Sequence, residues 1–125
     1  MNRTLYFAAG VLVGMVPLSL VGASTQDPVA VSPRYYTVKF ENDRVRVLEY
    51  RLKPGEREAM HTHPPGVVYT LGDSTIRTTL PDGTAADRPG KAGDVFWRDA
   101  SSHSVVNVGK TEAHALAIDV KACKP

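Results

Sequence analysis

The sequence predicts a single all-β domain of the sandwich or barrel kind, and three observations carry that expectation. From about residue 35 to Lys121, turn signals such as "KPGE", "HPPG", "PDG" and "NVGKTE" cut the chain into short apolar segments at the spacing an antiparallel β fold requires. Within the segments, apolar and polar residues alternate with the period of two that a half-buried strand shows. No stretch of about twelve residues after the N-terminal apolar segment carries a helical stripe. The chain has 125 residues, enough for one core and too few for two.

Taken in order, residues 1–23 read as a secretory leader. Arg3 supplies a short positive region, Leu5 to Val21 is apolar, and Val21-Gly22-Ala23 is a small-residue cleavage site. An uncleaved anchor helix is the rival reading. Cleavage is preferred because Gly10, Gly14 and Pro17 interrupt the apolar run, and the mature protein is then expected in the periplasm or the medium. Residues 24–34, "STQDPVAVSPR", lack periodicity and read as a linker or loosely docked arm. The domain is expected over 35–121. Tyr36, Val38 and Phe40 alternate, as do Ile76, Thr78 and Leu80, and as do His114, Leu116, Ile118 and Val120. In "RVRVLEYRL" the phase of the apolar residues slips after Val47, which predicts a bulge or a strand that changes faces. Residues 122–125 are a tail whose lone Cys123 has no partner for an internal bridge. Fifteen Lys and Arg against thirteen Asp and Glu, scattered along the chain, exclude a nucleic-acid or anionic-membrane footprint.

Two of the four histidines stand one residue apart in "MHTHPPGVVY". On a strand, residues two apart point to the same side, so His61 and His63 project together, close enough to share one ion. Pro64, Pro65 and Gly66 then form a rigid turn that holds the pair at a strand end. His103 opens another strand, with Val105 and Asn107 on its face, as a ligand from a facing strand should. The pair alone is balanced between a metal site and two hydrogen-bonded histidines without metal; the third histidine tips it to metal. His114 shares a face with Leu116, Ile118 and Val120 and reads as a core or rim histidine bonded to backbone.

These residues resemble the small single-domain cupins over about residues 36–121. Gly55, His61 and His63 match the opening of the first cupin motif, and His103 and Asn107 match the close of the second. The resemblance implies a double-stranded β-helix, or jelly-roll barrel, often dimeric, with a metal in the barrel mouth. Phrases such as "FENDRVRVLEYRLKPGE", "VVYTL" and "AGDVFWRDA" are similar to a mostly uncharacterised bacterial subgroup, some of whose members are associated with β-alanine breakdown. Two departures stand out. Val67 or Val68 occupies the place of the acidic ligand, and the second motif is one residue short, with Asp99 for proline and Ser101 for glycine.

The expected site is therefore one divalent transition metal on His61, His63 and His103, iron first, with zinc, nickel or manganese as alternatives. Three neutral ligands leave the ion its full double charge, which favours anionic or chelating oxygen ligands. The first functional expectation is a small metalloenzyme, a non-haem iron dioxygenase-like oxidoreductase acting on a small anionic compound. The other is a non-catalytic cupin that holds a small acid or sugar acid, and a third is a degenerate barrel without metal. Tyr69, Arg77 and Arg98 are the candidate substrate residues, Arg98 for a carboxylate. Asp94 and Asp99 near His103 read as turn-formers, and Glu49 and Tyr50 as ordinary strand residues or rim groups. No macromolecular partner is expected beyond a second copy, paired through a sheet edge.

Overall fold

The computed structural model describes residues 26–122. The leader expected over residues 1–23 and the thiol of Cys123 lie outside that range. Among the described residues, no helix is long and apolar enough to cross a membrane.

Nine strands follow one turn of helix: α1 (Pro28–Val31), β1 (Tyr36–Glu41), β2 (Val45–Leu52), β3 (Arg57–His63), β4 (Gly66–Thr70), β5 (Ser74–Thr79), β6 (Ala85–Gly90), β7 (Val95–Arg98), β8 (Ser101–Asn107) and β9 (Ala113–Val120). They form two antiparallel sheets, ordered β1-β2-β9-β4-β7 and β3-β8-β5-β6, the all-β jelly-roll arrangement that the turn spacing predicts.

The strand register shows which residues face the interior. In the five-stranded sheet Arg46, Leu48, Tyr50 and Leu52 of β2 pair with Asp119, Ala117, Ala115 and Ala113 of β9, and this face looks inward. The expected phase slip in β2 is absent, because its register against β9 runs unbroken from Val45 to Leu52. A central strand with apolar residues on both faces mimics a slip in the sequence. The irregularity lies in the neighbouring β1, between Val38 and Phe40. The outward face carries a row that crosses every strand of the sheet: Phe40, Val47, Ile118, Val67 and Trp97.

Where the sequence suggests a linker over 24–34, the structure docks the described part. Asp27 caps α1 by accepting from the Val29 amide at 2.8 Å, and its second oxygen pairs with Arg46 at 2.7 Å. The Thr62 amide donates to the Gln26 carbonyl at 2.8 Å, which lays the arm beside β3. Pro28 and Ser32 are buried by this packing.

The apolar core is small. It consists of Tyr36, Leu48 and Ala117 in one cluster and Leu52, Val105 and Ala113 in another. Buried beside them are the polar or charged Glu58, His61, His63, Asn107 and Asp119. Asn107 serves the fold and not the site. Its Nδ2 donates to the carbonyls of Leu52 and Thr111, both at 2.8 Å, and its Oδ1 accepts from the Gly109 amide at 2.9 Å.

Gly66 begins β4 where the strand runs against β9. A Cβ on it would clash with the Ile118 carbonyl oxygen, with the Asp119 backbone close beside it. Gly66→Ala must therefore push β4 off β9, and is expected to cost on the order of 3 kcal/mol. Urea denaturation would register this as a lower midpoint at unchanged slope.

Candidate metal centre

The pairing of β3 with β8 places His61 directly opposite His103 and His63 opposite Ser101. The approach to that pairing is irregular: between Glu58 and His61 the chain advances three residues while β8 advances two, from Val105 to His103. An extra residue in one strand is a bulge, and it reverses the face of everything before it. Strict alternation would put Glu58 and His61 on opposite faces. The bulge puts both inside.

A hydrogen bond assigns the tautomer of His61. His61 Nδ1 lies 2.8 Å from the Ala59 carbonyl oxygen and donates to it, so Nε2 carries a bare lone pair. His63 Nδ1 faces Asp119 Oδ1 at 3.5 Å, which favours the same tautomer. The two Nε2 atoms then meet at 2.9 Å. That separation is one a His63 Nε2–H···Nε2 His61 hydrogen bond has, and two nitrogens bound to one ion at about 2.1 Å and at a right angle would be about as far apart. His103 completes the group, its ring centroid 4.7 Å from that of His61 and 5.4 Å from that of His63. Ligand nitrogens of all three residues lie within 4.8 Å of one another, so His61, His63 and His103 could hold a metal ion. The Tyr36 hydroxyl stands 3.4 Å from His61 Nε2.

Burial keeps these imidazoles uncharged. Desolvation lowers the pKa of His61 to about 4, against the opposing bond to Ala59. Desolvation, reinforced by His61 and His63, brings His103 to about 3. His63 is also lowered by burial, with Asp119 pulling the other way. The neutral form is the ligand form, so the protein presents metal-ready nitrogens at neutral pH.

Two carboxylates adjoin the histidines. Asp119 is 1% exposed, and it accepts from Arg98 at 2.6 Å and from Arg46 at 3.2 Å. Burial raises its pKa, but His63 and Arg98 outweigh burial and hold it below the usual aspartate range. Glu58, also 1% exposed, has no such cations. Its Oε1 is 3.2 Å from His61 Nδ1, whose proton is directed at Ala59, and neither Glu58 oxygen closes a hydrogen bond. Burial pushes its pKa up to about 7, against the downward pull of the Tyr36 and Tyr50 hydroxyls.

A cavity of about 710 Å³ opens in front of His63 and His103, lined by Tyr36, Tyr50, Glu58 and Arg98 among others. Of the three expected substrate residues, only Arg98 faces it. There Arg98 is already engaged, by Asp119 and by the Pro64 carbonyl at 3.2 Å. Tyr69 pairs with Leu116 and Val95 on the outward face of its sheet. Arg77 also faces outward and forms a two-pronged ion pair with Asp87, at 2.6 and 2.9 Å. Strand phase is the reason in both cases, since Val68 and Ile76, next to them, take the inward positions. His114 is on the outward face as well, bonded to the Glu49 carboxylate at 2.8 Å and not to backbone. Asp94 and Asp99 reach the cavity rim but accept from local donors, the Lys91 amide and Trp97 Nε1, both at 2.9 Å.

Sequence reasoning misses Glu58 and Asp119. Asp119 has a visible signal: it continues the small-residue series Ala113, Ala115, Ala117, and a charge in such a series marks a lined cavity. Glu58 has none, because the bulge reverses its parity.

A two-sheet antiparallel barrel whose paired strands gather three neutral imidazoles beside a central cavity, where they could hold a metal ion, is of the cupin type. The chain belongs to the small single-domain cupins. It is 34% identical over 89 residues to the β-alanine degradation protein BauB of Pseudomonas aeruginosa, a match covering 68% of this chain and 90% of that protein. A cupin domain from Bordetella pertussis superposes with a TM-score of 0.64 at 29% identity, covering 70% of this chain and 92% of that one. A double-stranded β-helix protein from Klebsiella pneumoniae shares the fold at a TM-score of 0.56 and 19% identity, over 68% of this chain and 74% of that one. No family model matches the chain.

The buried charges make two outcomes measurable. Asp119→Asn strips the counter-charge from Arg46 and Arg98 and should destabilise the fold by on the order of 3 kcal/mol in urea titrations. It should also weaken metal binding at least tenfold through His63. In protein stripped of metal, the histidines and Glu58 act in opposite directions. The histidines have folded values below their unfolded value of about 6.5, so their contribution is complete above that pH and is lost as pH falls toward 4. Glu58 is raised from 4.5 to about 7, so its contribution is complete below pH 4.5 and is lost as pH rises through 7. Glu58→Gln should therefore match the parent in stability below pH 4.5 and exceed it above pH 7 by roughly 3 kcal/mol, as read from urea midpoints across that range.

Proposed function

We propose that this cupin is a metal-dependent enzyme that binds one divalent transition ion through His61, His63 and His103 and acts on a small anionic compound. The observation that carries this reading is the convergence of three imidazoles from two paired strands, with ligand nitrogens within 4.8 Å of one another. Burial keeps all three imidazoles neutral, the form that binds a cation.

An ion held by three neutral donors supplies Lewis acidity with its full double charge, and in the iron form it would support dioxygenase-like chemistry. The chain's own residues do the rest. Asp119 and the Ala59 carbonyl hold the His63 and His61 rings with their Nε2 atoms toward the shared point. Glu58 presents two unpaired carboxyl oxygens beside the Tyr36 and Tyr50 hydroxyls, where a substrate proton can be taken up or returned. Val68, Ile76, Val105 and Phe96 surround the cavity with apolar surface that limits water. A volume near 710 Å³ suits a small molecule. The role of the Pseudomonas relative, in degradation of β-alanine, agrees with a small carboxylic acid as the substrate type.

The test begins with metal analysis of the protein purified without a histidine tag. About one iron, zinc, nickel or manganese per chain is expected, falling at least tenfold in His61→Ala. Oxygen uptake by the iron form is then measured against diketones, thiols and phenolic acids, and consumption with one of them is expected. Retained metal without uptake, together with ligand-dependent melting shifts that persist in the metal-free form, would transfer the reading to a non-catalytic holder of a small acid or sugar acid. A chain that takes up no metal would refute the proposal.

A further inference from the structure

Among the described residues, the arginines separate into those with a counter-ion and three without, Arg44, Arg57 and Arg88, of which only Arg88 lines the cavity. Arg46 and Arg98 share Asp119, Arg51 holds Glu112 at 2.6 Å, and Arg77 holds Asp87. Arg88 sits on β6 opposite Ile76, whose partner on the other side is the buried Asn107, so strand alternation turns Arg88, itself exposed, toward the cavity at its open mouth. Among the described residues, no carboxylate lies within ion-pair reach of it. Its guanidinium carbon lies 5.9 Å from the centroid of the Phe96 ring. Phe96 itself faces inward, paired with Val68, yet is 38% exposed because open cavity lies in front of it. Arg88, Phe96 and His103 line the same cavity.

A guanidinium resting on an aromatic face keeps its edge donors free and its plane fixed, the arrangement that receives a carboxylate with two parallel hydrogen bonds. The charge balance of the cavity agrees. Arg98 is neutralised by Asp119, the imidazoles are neutral, and the rim acids Asp94 and Asp99 accept from local donors and form no ion pair with Arg88. Arg88 is thus the cavity's uncompensated protein cation, at a different part of the lining from the histidines.

We infer that the Arg88–Phe96 side of the cavity is a subsite for the carboxylate of a bifunctional substrate whose second oxygen donor reaches the histidines. The inference rests on the metal reading above and adds the substrate class: a short acid that carries a carbonyl or hydroxyl as well as its carboxylate, such as a keto or hydroxy acid. Arg88 is a residue that selects the substrate, and Arg98 is one that positions the site.

The test uses the whole untagged chain loaded with zinc and two series of probes. One is a set of hydroxamic acids bearing a terminal carboxylate on chains of about two to four methylenes; the other is the uncharged alkyl hydroxamates of the same lengths. Calorimetry should show one length at which the carboxylate improves affinity about tenfold or more. In Arg88→Gln that advantage should vanish while the uncharged probe binds as before, which also certifies the variant's fold, and Arg88→Lys should retain part of it. An advantage that survives Arg88→Gln, or is absent at every length, overturns the subsite and leaves the metal reading standing. If neither series binds, the metal reading falls and the subsite with it.

Discussion

The geometry of this protein depends on one buried carboxylate. Asp119 is withdrawn from water, and a carboxylate in that position costs several kcal/mol unless cations and hydrogen bonds replace the solvent. Arg98 and Arg46 replace it, and each also binds elsewhere. Arg46 reaches Asp27, the cap of α1, and so ties the N-terminal arm to the barrel. Arg98 reaches the Pro64 carbonyl, in the turn directly after His63. The remaining contact of Asp119 is with His63 Nδ1. One negative charge therefore joins β2, β7 and β9, the arm and the turn, and it also selects the tautomer of a candidate ligand. The pose of the site follows from the same interaction that closes the barrel.

Much of this is legible in the sequence, and the parts that are not have physical reasons. Turn chemistry and period-two alternation depend only on local residues, so the all-β class can be read directly. The same-face rule for residues two apart is equally local, which is why His61 and His63 can be paired; a short strand context is enough to add His103. What fails depends on nonlocal facts. In β9 the larger residues Leu116 and Ile118 suggest the buried face, but the alanine face is the inner one, because a hollow barrel needs small side chains where its cavity lies. The pattern thus puts His114 on the wrong side of its sheet. For Tyr69 and Arg77 no local signal sets the phase across "HPPG" and the turns beyond it, and one residue of phase sends each of them outward.

The bulge ahead of His61 has the widest consequence. It brings a second carboxyl group into the interior on the strand that also carries the histidine pair. This bears on the acidic ligand that the cupin pattern would place at Val67 or Val68. Val68 does face the cavity, so no carboxylate arrives from that strand. Glu58 and Asp119 approach from β3 and β9 instead, and both contact the Nδ1 sides of the imidazoles. From there Asp119 can polarise His63, while the Ala59 carbonyl orients His61, and the direct donors remain neutral.

That placement decides what the cavity can attract. A carboxylate among the direct donors would cancel half the charge of a divalent ion, and the site would then tolerate neutral substrates. Here the nearby negative charge of Asp119 is already matched by Arg46 and Arg98, while burial favours the uncharged form of Glu58 up to about pH 7. An ion on three imidazoles would keep its charge, and Arg88 adds another on the same cavity. An uncharged molecule would make no ionic contact with either. A short molecule with oxygen donors at both ends answers both, so the electrostatics of the lining select for charge and length before any contact of shape.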